Sequence, residues 1–218
     1  HRIQKFDNDG KFIDQFGSYG IGPGQFAGST SLREYGFDFG PGIGPGPIGP
    51  SGIAVNSQLN HLQGMNNLGG DIYVADCDND RILVFHGTGK FARSIAIAGV
   101  KRPRHLVMDS NGLLYVAGVH AHEPPMDVHN IDDPMKWSIE PEARWVVVVD
   151  TGGKYGSPGR EIAKIGLPKA HKSMNHSQNR GLHSHGYGLA INGKDKRMLH
   201  VQGGDAIFQY FISWGSFE

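Results

Sequence analysis

The sequence predicts an all-β protein, a β-propeller of four-stranded antiparallel blades, and three observations predict it. Short runs rich in β-branched and aromatic residues recur along the 218 residues. Clusters of Gly, Asn and Asp separate them, residues whose backbones and side chains favour tight turns. The clearest stretch, Gly70 to Gly99, holds three such runs in series, and Pro50 to Asn56 upstream supplies a fourth. Four short antiparallel strands at this spacing make one blade.

Taken in order, residues 1–16 hold two strands, IQKFD and KFIDQF, about an Asn8-Asp9-Gly10 turn. Asn or Asp followed by Gly is the strongest short hairpin signal. These are read as the outer half of a blade assigned to residues 1–35, whose inner half is absent from the chain. The Gly- and Pro-rich segment up to Pro50 reads as a surface crossing, with Tyr35, Phe37 and Phe39 as candidate exposed aromatics. A complete blade spans 50–99, with a polar insertion, Ser57 to Gly69, between its first two strands. Asp76 to Asp80 is its central turn.

A further blade covers 102–166. Its first strand is His105 to Asp109, followed by an Asn111-Gly112 turn and a second strand, Leu113 to Ala117. A long insertion, Gly118 to Ala143, precedes the third strand, Trp145 to Asp150, whose continuous apolar run must be covered on both faces. Arg160 to Ile165 is the fourth. After a second polar insertion, Leu167 to Gly186, a last blade occupies 186–218. The total is about three and a half blades, where propellers have roughly 4–8. The chain is therefore expected to be part of a larger, six-bladed propeller, completed by further residues or neighbouring chains. Ile53, Val55, Ile72, Val74, Leu106, Val116, Val147, Leu189 and Ile191 are expected between blades.

The motif PSGIAV, then DIYVADCDNDRILVF, then a turn and GKF closely resembles the NHL repeat. Looser copies run from Arg104 to Ala117 and from Gly186 to Val201. The resemblance implies a propeller and says little about chemistry, because propellers host many functions. Amidating lyases of similar fold carry zinc histidines in a Pro-His-Gly-Leu motif. The matching positions here are Ser51, Arg104 and Tyr187, so that activity is not expected.

Composition narrows the partners. Basic and acidic residues balance at 21 each, which offers no general attraction to nucleic acid. A single cysteine, Cys77, excludes an internal disulfide, and no apolar run is long enough to span a bilayer. An extracellular or periplasmic setting is favoured.

Chemistry gathers in the two long insertions, which hold seven of the 12 histidines. In a propeller, loops between a blade's second and third strands lie on the same face as loops between blades. His120/His122 and His183/His185 therefore belong on one face. An extended His-x-His directs both rings to one side, and imidazole suits zinc and other divalent transition metals. Candidate ligands are His120, His122, His129, His183 and His185; candidate partner-binding residues are Arg104 and Tyr187. The Asp76–Asp80 cluster lacks the Gly and Glu of an EF-hand loop and reads as a turn. The leading expectation is a binding or scaffolding module that holds a protein or ligand on its loop face. The alternative is a metal-dependent lyase or hydrolase built on the histidine loops.

Overall fold

The computed structural model describes residues 1–27, 49–56, 70–120, 145–152, 158–166, 189–192, 198–203 and 206–212. The expectations for the 28–48 crossing, for the 57–69, 121–144 and 167–188 loops and for the final residues lie outside this set.

Among the described residues the fold is all-β, and its only helical turn is a short 3-10 segment at Cys77–Asn79. A two-stranded antiparallel sheet pairs β1 (Ile3–Phe6) with β2 (Phe12–Phe16). Two short strands absent from the sequence reading follow, β3 (Ser18–Tyr19) and β4 (Gln25–Phe26), paired in parallel. The first four-stranded sheet is an antiparallel meander of β5 (Pro50–Val55), β6 (Ile72–Asp76), β7 (Arg81–Phe85) and β8 (Phe91–Ala96). The second is built in the same way from β9 (Val100–Met108), β10 (Leu113–His120), β11 (Trp145–Asp150) and β12 (Arg160–Gly166). A three-stranded meander of β13 (Leu189–Asn192), β14 (Met198–Gly203) and β15 (Ala206–Phe211) completes the set.

The meanders are stitched by one recurring turn. Asp7, His86 and Asp109 each accept through the carbonyl from the glycine three residues on, at 3.1, 2.7 and 3.2 Å. Each also donates its own N–H to the carbonyl four residues on, at 2.9 Å. The turn needs a left-handed residue at its fourth position, and Gly10, Gly89 and Gly112 supply it with φ of 80°, 83° and 79°.

Alternation along the strands gives each sheet two apolar faces. Tyr73, Ala75, Ile82 and Val84 of the first four-stranded sheet pack with Leu106, Leu114, Val116, Val147 and Val149 of the second. The second sheet's other face, with Leu113, Tyr115, Val146 and Val148, packs with Leu189, Ile191 and Leu199 of the three-stranded sheet. The first sheet's other face, with Val74, Leu83 and Phe85, is covered by Ile3, Phe16 and Phe26. The sheets thus stack in chain order, and the expectation that WVVVVD is covered on both faces holds: Val146 to Val149 are fully buried.

Three expectations need correction. Ile53 and Val55 are 50% exposed, because β1 and β2 reach over β6, β7 and β8 but leave the same face of β5 uncovered. The second sheet's first strand begins at Val100 instead of His105. β10 likewise runs on to His120, since Val100 and His120 are register partners. Gly118, Val119 and His120 are therefore strand residues and not the start of the insertion.

Candidate functional site

The first strands of successive meanders lie side by side: β5 against β9, and β9 against β13. Their contact is close enough to dictate sequence. A Cβ on Gly52 would overlap the carbonyl oxygen of Arg104 and stand 3.1 Å from its carbon and from His105 Cα, so only glycine fits. Beside it, Ser51 Oγ donates to the carbonyl of Pro103 at 3.3 Å.

Both strands bulge here. Ser51 and Gly52 together face Ala75, because the register passes from Pro50–Asp76 to Ile53–Val74. On β9 the register passes from His105–Ala117 to Pro103–Gly118, leaving Arg104 as the extra residue, and Arg102 is skipped in the same way. A bulge releases a residue from the ladder and re-aims its side chain. Arg104 is nevertheless only 9% exposed, and its Nε has no hydrogen-bond partner. Next to it, the half-buried His105 imidazole is held below the usual histidine range, first by burial and then by the Arg104 guanidinium.

A second polar cluster sits at the C-terminal end of β6, where Asp76 is the register partner of Pro50. The Asp76 carboxylate is fully buried and accepts from Asn79 Nδ2 at 2.7 Å, Arg81 Nε at 2.8 Å and the Ala27 amide at 3.1 Å. Arg81 also donates to the carbonyls of Gly22 and Gln25, at 3.0 and 2.9 Å, and so ties the β3–β4 segment to the first four-stranded sheet. Asp80 takes a left-handed conformation with φ 54°, as an Asp-rich turn permits. Cys77, within this turn, is fully buried. Asp76, Asn79 and Arg81 each bond to the segment 20–27, which makes the cluster a clasp.

A third cluster joins the two four-stranded sheets. Thr151 Oγ1 donates to the Gly112 carbonyl at 2.6 Å, and Arg93 donates to the Thr151 carbonyl at 3.1 Å. The buried Tyr73 phenol is raised above its usual range, chiefly by burial and against hydrogen bonding from Thr151 and the charge of Arg93.

Of the residues singled out in the sequence, Arg104 lies in this description with its side chain, and His120 lies at the end of β10 as a backbone position. His122, His129, His183, His185 and Tyr187 lie outside the described residues. Among the described residues, no three His, Cys, Asp or Glu side chains are grouped to hold a metal ion. No helix among them is long and apolar enough to cross a membrane. The sequence reading missed the Asp76–Arg81 clasp. Its signal was an acid closing one strand and a base opening the next, five residues on.

No family model and no curated protein matches the chain. Among solved structures it is similar to the hydrazine synthase of Kuenenia stuttgartiensis, at 15% identity and a TM-score of 0.40 over 76% of this chain and 32% of that one. The chain spans about a third of that protein's length.

Proposed function

We propose that this chain forms part of an NHL-type β-propeller and acts as a binding module, holding a protein or ligand partner at the loop end of its sheets. The observation that carries the reading is the common root of the two polar insertions. His120, which precedes one, is the register partner of Val100. Trp145, which follows it, is the register partner of Gly166, which precedes the other. Both insertions thus leave from one end of the same sheet, where their side chains can act on one partner. Repeated four-stranded meanders with their first strands adjacent support the propeller, and loops displayed on such a rigid scaffold are where binding residues concentrate. Replacing residues 122–143 by a short Gly-Ser link tests the reading. The variant is expected to keep the parent's circular dichroism and to lose the partners that the parent retains in affinity capture; an unchanged set of partners would refute it.

A second reading, a metal-dependent lyase or hydrolase, is favoured by the same root, because it starts His120/His122 and the His183/His185 loop from one sheet end. Its check is elemental analysis of the purified chain: stoichiometric zinc that is lost on replacing His122 and His183 by Ala supports it, and a metal-free protein removes it.

A further inference from the structure

We infer that Arg104 is the anchor of an oxyanion-binding site, taking a carboxylate or phosphate group of the ligand. This deepens the binding reading and rests on it.

An arginine cannot shed its charge to relieve burial. A buried cation without a counter-charge is among the costliest arrangements a fold can hold. Arg104 is nine-tenths buried, its Nε is unbonded, and among the described residues no carboxylate pairs with it. His105 supplies no compensation: its imidazole is held toward the neutral form, first by burial and then by the Arg104 charge. Arg104 contrasts with the half-buried Arg81. Arg81 meets a carboxylate at 2.8 Å and two carbonyls, whereas among the described residues Arg104 meets no carboxylate and its Nε no acceptor.

The position is also constructed. Arg104 is the extra residue of a bulge, so the ladder does not set its direction. Its backbone is fixed from behind by the contact with Gly52 and by the Ser51–Pro103 hydrogen bond. A desolvated guanidinium on a fixed backbone, with no carboxylate among the described residues, is matched to a bidentate oxyanion, with which guanidinium forms its strongest hydrogen bonds. The net neutral chain supplies no broad positive field, so selectivity would rest on this one group.

The test is thermal unfolding of the 218-residue chain with inorganic phosphate or acetate, against chloride at equal ionic strength. Arg104→Met and, as a surface control, Lys90→Met are run in parallel. The parent and Lys90→Met are expected to gain a few degrees in Tm with at least one oxyanion, and Arg104→Met to gain none. Without added anion, Arg104→Met should melt at or above the parent, since it removes an uncompensated buried charge. A response to phosphate alone points to a phosphorylated ligand; a response to acetate alone points to a carboxylate such as a peptide terminus. No response in the parent, a response that persists in Arg104→Met, or an Arg104→Met chain that melts well below the parent without anion would overturn the site. None of these would touch the partner capture above, which tests the insertions.

Discussion

At the scale of single residues, two neighbours on the adjoining strands give opposite lessons. Gly52 has no room for a methyl group, and what it would strike is main chain, which cannot rotate away. Gly52→Ala is expected to lose about 1–3 kcal/mol, the range for overpacking, read from the urea midpoint. His105 bears on pH. Its folded form resists protonation, so the unfolded chain takes up the proton first. Its contribution to stability is complete above about pH 6.5 and falls away as the pH drops through the lowered folded value. His105→Gln should flatten the decline in Tm between about pH 6.5 and 5, and an unchanged slope would contradict the assignment. Arg104 stood in the sequence as a candidate partner-binding residue. That it is buried with its Nε unbonded was not legible there, because a bulge leaves no mark in composition; it exists only in the pairing of β9 with β10.

At the scale of elements, the recurring turn separates chemistry from geometry. Asp7 and Asp109 occupy the same position, and each accepts through its carboxylate from two backbone amides, at 2.8–3.0 Å. The Asp7 turn is in water, whereas Asp109 is buried and also receives the Tyr115 hydroxyl at 3.3 Å. Removing an acceptor costs most where water cannot replace it. Asp109→Ala should therefore lose about 2–3 kcal/mol and Asp7→Ala about 1 kcal/mol or less in denaturant titrations. His86 keeps the turn's backbone bonds without the acid, with its imidazole on Asp71 at 3.1 Å, so the glycine matters more than the residue that opens the turn. Strand order was readable from turn residues and alternation: every strand expected in the described residues is present. Strand ends were not, as β9 and β10 show, because they depend on how far a partner continues. The short parallel β3–β4 pair carried no periodic signal at all and is held in place by Arg81.

At the scale of the molecule, each apolar cluster is shared by sheets that neighbour one another in the chain, two sheets in two of the clusters and three in the one that holds Phe26. Among the described residues the second four-stranded sheet has an apolar cluster on each face, whereas cover is incomplete at β5 of the first and at β15 of the last. Ile53 and Val55 stand half in water on one flank, and Phe211 is 62% exposed on the other. The alternation in PSGIAV assigned Ile53 and Val55 to one face correctly. Whether that face is covered depends on a neighbouring sheet, which local pattern cannot report. With apolar surface worth about 25 cal/mol per Å², such flanks favour association. Sedimentation of the chain at micromolar concentration should show self-association, weakened by Ile53→Thr with Val55→Thr; a monomer at all concentrations would contradict this. The sharing of clusters between consecutive sheets also has a consequence in time. An array coupled only to its nearest neighbours opens from its ends, sheet by sheet, without a single global event. Amide protons of β1–β2 and β13–β15 should exchange with solvent first. Those of β6, β7, β10 and β11 should be the last to go, so an exchange map would register each sheet's distance from the middle of the stack as a clock.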